Sequence, residues 1–174
     1  MPFKINRLNK NKNTQHSRFI VQEKPEAHLK IEVDAVIKDM SVTSDGVMEV
    51  PSNRIDIGWF SFGTRPGKTG SAVIGGHNRF DSKSGVFVNL NQLEKGDVLS
   101  VVDAKGFSTS FVVRDMHIYD ATDTNTGIFE SQSGVHLNLI TCSGDWNPLT
   151  KSYTKRLVIF TDVVQPKTLA TLYQ

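Results

Sequence analysis

The stretch Val135-His136-Leu137-Asn138-Leu139-Ile140-Thr141-Cys142 largely alternates apolar with polar residues, which is the pattern of a half-buried β-strand. Successive side chains of a strand point to opposite faces, so this stretch divides into two sets. The predicted core-facing set is Val135, Leu137, Leu139 and Thr141, and the opposite set is His136, Asn138, Ile140 and Cys142. Because Ser143-Gly144-Asp145 predicts a loop, we expect Cys142 at an accessible strand end.

Strand-like runs also occur on both sides of this stretch. They cover residues 31–37, 47–50, 71–77, 97–103, 107–119 and 156–164. Turn sequences such as Arg65-Pro66-Gly67 and Lys95-Gly96-Asp97 separate them, and residues 103–106 predict a hairpin turn. Only residues 85–94 have apolar residues at helical spacing. These features predict an all-β fold, either a closed barrel or a sandwich, with little helix.

Composition and charge place further limits on the 174-residue chain. Its length suits a single domain with a core, and hydrophobic residues make up 38% of it. Residues 1–28 are polar and lack periodicity, which predicts a flexible basic arm before a domain covering residues 29–174. Because the excess of basic residues lies in this arm, a nucleic-acid-binding surface on the domain is not expected. No apolar stretch of this sequence reaches membrane-spanning length, and its first residues do not have the apolar core expected of a signal peptide.

The single cysteine, Cys142, is either a small buried hydrophobic residue or a nucleophile. An accessible strand end favours the nucleophile, which then needs a basic partner. Of the five histidines, His136 is excluded as the partner, because it lies six residues away on the same strand, about 20 Å from Cys142. His16 and His28 belong to the arm or its border, and His117 follows a long strand, where a surface imidazole is common. His77 follows the apolar strand that ends in Gly75-Gly76 and is the favoured partner.

Arg156 begins the apolar run that continues through Leu157, Val158 and Ile159. If Leu157 and Ile159 face the core, Arg156 faces outward, as Cys142 does. A guanidinium beside a thiolate stabilises the anion and a developing oxyanion. An exposed arginine at a strand edge would have the same sequence pattern, so both interpretations stay open at this point.

Taken together, these segments resemble the sortases. Leu139-Ile140-Thr141-Cys142 matches the Leu-x-Thr-Cys signature of that family, with a strand-ending Gly76-His77 upstream and an Arg156-Leu157-Val158 strand downstream. The resemblance covers about residues 31–164 and is strongest to the class F and class E sortases. Further matching stretches are Val47–Pro51, Ile57–Phe60, Arg65–Gly67, Ala72–His77, Leu93–Asp97 and Ser143–Asp145. After His77, Asn78-Arg79-Phe80-Asp81 departs from the short hydrophobic segment with Asp that is usual in the family.

The resemblance implies an eight-stranded β-barrel with one or two short helices and a catalytic set of His77, Cys142 and Arg156. It implies cleavage of a Leu-Pro-x-Thr-Gly-like sorting signal between Thr and Gly, through a thioacyl intermediate. The acyl group then passes to an amine of a cell-wall precursor or a pilin lysine. No cofactor or metal is expected, and we expect a monomer at the bacterial cell surface, held by an N-terminal membrane anchor that this sequence lacks.

The predicted groove walls are the loops 120–134 and 143–155, on either side of the nucleophile strand. The candidate substrate contacts in these loops are Ile128, Phe129, Trp146 and Tyr153. Thr141, which precedes the cysteine in the family signature, is a further candidate. Asp81 and Asp145 are weaker candidates for binding an amine. A peptidoglycan L,D-transpeptidase is disfavoured, because Ser143 stands where that family has arginine. A catalytically silent barrel that binds a cell-surface peptide remains the alternative.

Overall fold

A computed structural model describes residues 17–21, 33–44, 46–123, 126–131 and 133–164. Ten strands form in the described residues. They are β1 (Ser17–Val21), β2 (Asp34–Met40), β3 (Ile57–Phe60), β4 (Gly70–Gly75), β5 (Arg79–Phe80), β6 (Lys83–Ser84), β7 (Val98–Val102), β8 (Ser108–Asp120), β9 (Val135–Asn147) and β10 (Ser152–Val163). Two single-turn 3₁₀ helices cover Leu90–Gln92 and Thr126–Ile128.

Eight of these strands close into a barrel in the order β1-β2-β3-β4-β9-β10-β8-β7. The β2–β3 and β4–β9 pairs are parallel, and the other barrel pairs are antiparallel. The short β5–β6 hairpin lies outside the barrel. The predicted all-β, eight-stranded barrel with one or two short helices is therefore confirmed.

The barrel interior holds the main hydrophobic core. The alternation in β9 places Leu137 and Leu139 there, and β10 contributes Leu157 and Ile159. A second, smaller cluster lies on the outer face of β4, β9 and β10. It consists of Met48, Phe60, Val73, Ile128, Ile140 and Val158. Both faces of β4 are thus covered, which explains why its sequence is apolar throughout rather than alternating.

The prediction of a flexible arm over residues 1–28 is wrong at Ser17–Val21, which forms β1 and closes the barrel between β2 and β7. Phe19 is fully buried and contacts Phe87 edge-on, and Arg18 forms an ion pair with Asp34. Five residues flanked by polar sequence give too short a pattern to recognise. The rest of the predicted arm lies outside the described residues, as do residues 29–32 and 165–174 of the predicted domain.

Two other predictions on strands need correction. Strand β3 was missed, because all four of its residues are buried and no alternation marks it. The run 47–50 forms no strand, and its Met48 makes only an isolated bridge to Val42. The helical spacing at 85–94 gives only the single turn at Leu90–Gln92, with Phe87, Leu90 and Leu93 packed into the core.

Candidate active site

Cys142 lies within β9 and not at its end, since the strand continues to Asn147. Two residues beyond it, Gly144 and Asp145 both stand opposite Thr154, which is a β-bulge. Gly144 has φ +74°, a value that glycine adopts readily, and a Cβ there would lie 2.6 Å from the Thr154 hydroxyl. The bulge bends the strand directly after Cys142, so the half-buried thiol borders a cavity although its strand goes on.

Arg156 pairs directly with Cys142 across the β9–β10 ladder. It is fully buried, so the structure excludes the exposed strand-edge arginine that the sequence left open. Nη1 donates to the carbonyls of Tyr153 (2.9 Å) and Lys155 (2.7 Å), and Nη2 donates to the Ser152 hydroxyl (3.1 Å). The buried Nε has no hydrogen-bond partner among the described residues. The Nε–H of this fixed guanidinium therefore remains unpaired among the described residues.

His77 reaches the same place from β4. The parallel register pairs Gly75 with Ile140, and two further residues along each strand bring His77 beside Cys142. The His77 Nε2 lies 2.8 Å from the Pro51 carbonyl oxygen, and the Phe80 ring packs at 4.9 Å between ring centres. Because a carbonyl only accepts, Nε2 carries the hydrogen of the neutral ring, which leaves Nδ1 for proton exchange.

Cys142 and His77 both line a cavity of about 560 Å³. Its other walls are the β5–β6 hairpin and the two arms of the β9–β10 hairpin. The remaining lining residues are Val50, Arg79, Phe80, Asp81, Ser82, Trp146, Lys151, Ser152 and Tyr153. Thus the β9–β10 hairpin supplies the thiol and the guanidinium, and the distant strand β4 brings the imidazole of His77 to the same side of the barrel.

The other histidines are held elsewhere. Nδ1 of His136 lies 2.7 Å from Asp162, and its Nε2 lies 2.9 Å from the Ser133 carbonyl, while His117 contacts Asp115. His16 and His28 lie outside the described residues. The described part of the chain contains no group of three or more His, Cys, Asp or Glu residues arranged to hold a metal ion.

The family profile described as Sortase domain matches residues 30–164. This chain belongs to the sortase family. Sortases are cysteine transpeptidases that act at the cell surface. No curated protein sequence matched this chain.

Solved sortase structures share this fold at low sequence identity. Sortase C-1 from Actinomyces oris aligns with a TM-score of 0.65 and 22% identity, over 86% of this sortase and 73% of that chain. Sortase A from Corynebacterium diphtheriae gives 0.63 and 18%, over 90% and 63%. Sortase C1 from Streptococcus agalactiae, in complex with MTSET, gives 0.61 and 17%, over 86% and 69%. At these identities the likeness shows the fold alone.

The predicted groove residues of this sortase fall into two groups. Trp146 and Tyr153 line the cavity and contact each other edge-on, with ring centres 5.3 Å apart. Thr141 and Ile128 are buried and do not line it, so their predicted substrate contacts are not supported. The Thr141 hydroxyl donates to the Gly76 carbonyl (2.9 Å), and Ile128 belongs to the second hydrophobic cluster.

Phe129 also packs against that cluster, with its ring centre 5.3 Å from that of Phe60, and does not line the cavity. The sequence predicts a groove wall at the loop 120–134. In the structure, Ile128 and Phe129 of this loop instead pack against the cluster that contains Ile140 and Val158, because the outward face of β9 carries apolar surface that holds them.

The β5–β6 hairpin was not predicted as a wall. Its turn residues Asp81 and Ser82 have φ values of +47° and +61°, a conformation usually marked by Gly or Asn. The sequence Asp81-Ser82 therefore gave a weak turn signal. Of the two carboxylates considered for amine binding, Asp81 lines the cavity, whereas Asp145 is exposed in the bulge and does not.

Burial raises the pKa of the Cys142 thiol, and the neighbouring Arg156 opposes this by favouring the thiolate. Burial in turn lowers the pKa of Arg156. Because desolvation is the larger effect on the thiol, the resting enzyme holds Cys142 mainly as the neutral thiol at pH 7.

We therefore expect the rate of Cys142 alkylation by iodoacetamide to keep rising with pH beyond about 8.5, the ordinary value of a cysteine thiol. Only the thiolate reacts, and a raised pKa moves its formation to higher pH. Rates measured from pH 6 to 10.5, with free N-acetylcysteine as the reference, check this. A plateau already reached at pH 7 would show that Arg156 dominates over burial.

Proposed function

We propose that this sortase cleaves a Leu-Pro-x-Thr-Gly-like sorting signal between Thr and Gly and transfers the acyl fragment to an amine. The observation that carries the proposal is the pairing of the lone Cys142 with buried Arg156, beside His77, at a cavity large enough for part of a peptide. Each of these groups has a separate task in acyl transfer.

In the first step, the Cys142 sulfur attacks the threonine carbonyl carbon and a tetrahedral oxyanion forms. Arg156 lies on the adjacent strand with Nε–H unpaired, so we assign this donor to the oxyanion. Hydrogen bonds from Nη1 and Nη2 to Tyr153, Lys155 and Ser152 hold the guanidinium in place before substrate binds. Collapse of the intermediate breaks the Thr–Gly C–N bond and leaves a thioacyl enzyme.

His77 handles the protons of both steps. We assign Nδ1 to accept the Cys142 thiol proton as the sulfur attacks and to pass that proton to the leaving glycine amine. In the second step, Nδ1 accepts a proton from the incoming amine and returns it to the departing sulfur. Since burial keeps the thiol neutral, His77 is an acid and base for the amines rather than one half of a permanent ion pair. The contact with Pro51 and the Phe80 ring keeps the imidazole oriented.

The second step transfers the acyl group to an amine of a cell-wall precursor or a pilin lysine. Trp146, Tyr153 and Val50 supply apolar walls for the peptide. Arg79, Asp81 and Lys151 supply charged groups at the same cavity.

We further propose a membrane-anchored enzyme at the bacterial cell surface that resembles the class F and class E sortases. Among the described residues, none forms a helix with the length and hydrophobicity needed to cross a bilayer.

A library of Leu-Pro-x-Thr-Gly peptides, incubated with the protein and an added amine such as triglycine, tests the proposal. Mass spectrometry is expected to show cleavage between Thr and Gly, a product joined to the amine, and a covalent adduct on Cys142. Peptide binding without cleavage or adduct would instead indicate the catalytically silent barrel. Cleavage at another bond would refute the proposed signal.

A further inference from the structure

Asn78 directly follows His77, and its side chain reaches the strand that carries the nucleophile. The half-buried Asn78 amide donates from Nδ2 to the main-chain carbonyl oxygen of Cys142 at 3.0 Å. We propose that Asn78 is a positioning residue, which fixes the Cys142 main chain relative to His77. This inference rests on the proposed function and adds to it a residue that touches neither substrate nor sulfur.

The strand pairing explains why this carbonyl needs a partner. The parallel β4–β9 register ends at Gly75 and Ile140, and one more bond runs from the Gly76 N–H to the Ile140 carbonyl, at 3.2 Å. Carbonyls two residues apart on a strand point to the same neighbour, so the Cys142 carbonyl is the next acceptor facing the β4 side. There the donor is the Asn78 side chain instead of a main-chain amide.

The bulge makes this position sensitive. Gly144, with φ +74°, turns β9 just after Cys142, so the nucleophile lies between the last β4 contact and a bend. Pairing with Arg156 holds Cys142 on the β10 side. On the β4 side, the bond from Asn78 is the contact that restrains the carbonyl of the nucleophile.

Asn78 is itself held firmly enough to act as a support. Its carbonyl accepts the Gly85 N–H at 2.7 Å, and the His77 carbonyl accepts the Phe87 N–H at 2.9 Å. Gly85 approaches so closely that a Cβ there would lie 2.2 Å from the His77 oxygen. Residues 77 and 78 are thus clamped as a unit, and Asn78 transmits the position of that unit to Cys142.

The single cysteine allows the hydrogen bond to be observed directly. Incorporation of [1-¹³C]cysteine labels one carbonyl in the whole 174-residue chain, that of Cys142. We expect Asn78→Ala and Asn78→Asp to move this ¹³C resonance, because alanine removes the donor and an ionised aspartate keeps the shape without an N–H. Asn91→Ala is the matched control, since Asn91 is exposed on the Leu90–Gln92 turn.

The same variants are then compared as enzymes. We expect both Asn78 variants to lower kcat for peptide acylation by about two- to tenfold, the range of one neutral hydrogen bond expressed in the barrier. We expect KM to stay unchanged because Asn78 does not line the cavity. Asn91→Ala is expected to match the wild type in kcat, KM and resonance position.

Three results would overturn the proposal. An unmoved resonance in both Asn78 variants would show that the bond does not form in solution, and a moved resonance with wild-type kcat would show that it positions nothing. A fall in kcat that follows a fall in thermal stability would assign Asn78 a purely structural role. A wild-type protein that cleaves no sorting peptide would refute the proposed function instead, and the resonance would still decide whether Asn78 holds Cys142.

Discussion

Cys142→Ala is expected to lower kcat for sorting-peptide cleavage by about 10⁶-fold, the loss seen when the nucleophile of an acyl-transferring hydrolase is removed. The chain contains no second cysteine to take over the attack. Because the side chain is only half-buried, alanine leaves the barrel intact and the loss is chemical. Cleavage of a fluorogenic peptide, followed to the detection limit, measures the effect, and circular dichroism checks the fold.

Cys142→Ser tests whether the geometry alone suffices. A hydroxyl has a far higher pKa than a thiol, so we expect no measurable acyl ester on the serine and no amine transfer. Ser143→Ala is the matched control, because it removes the adjacent hydroxyl and leaves the thiol in place. If Cys142→Ala kept appreciable amine transfer, a second nucleophile would have to exist and the proposed mechanism would be incorrect.

Arg156→Ala is expected to reduce kcat by about 10²–10³-fold, the usual cost of losing one oxyanion donor. It also removes the charge that favours the Cys142 thiolate, so the alkylation profile of the thiol is expected to move to still higher pH. The loss of the oxyanion donor and the smaller fraction of thiolate both lower activity near neutral pH. Steady-state kinetics and the iodoacetamide profile measure them separately.

Arg156→Lys separates charge from geometry. Lysine keeps the positive charge but lacks the planar set of donors that reaches Tyr153, Lys155 and Ser152, so we expect it to restore the alkylation profile more than kcat. Arg114→Ala provides the control, since that arginine is about half-exposed and pairs with Asp162 on the outer surface. Near-wild-type kcat in Arg156→Ala would exclude its guanidinium from catalysis.

The barrel was predictable where polar residues on one strand face distinguish it from the apolar residues that face the barrel interior. In β9, the period of two in the sequence correctly placed Leu137 and Leu139 inside and Cys142 outside. The same period of two in β10 predicted that Arg156 lies on the same sheet face as Cys142, and the register places the two residues opposite each other. Local sequence was sufficient here because the pattern of a long strand is set by its own burial.

What could not be predicted depends on contacts between distant segments. Arg156 is fully buried and pairs with Cys142 on the neighbouring strand, and no pattern near residue 156 shows that burial. Ile128 resembles a loop residue available to substrate until the apolar outer face of β9 draws it into the second cluster. The bond from Asn78 to Cys142 spans 64 residues and exists only once β4 lies parallel to β9.

Because β1 (Ser17–Val21) is part of the barrel, the catalytic domain has to begin before residue 17. A chain begun at residue 29 would lack the strand that hydrogen-bonds to both β2 and β7. The main-chain amides and carbonyls of β2 and β7 that pair with β1 would then face water, and the loss of Phe19 would open the interior. Exposed edges of this kind recruit strands from other molecules, so such a truncation would convert a self-contained barrel into a template for aggregation.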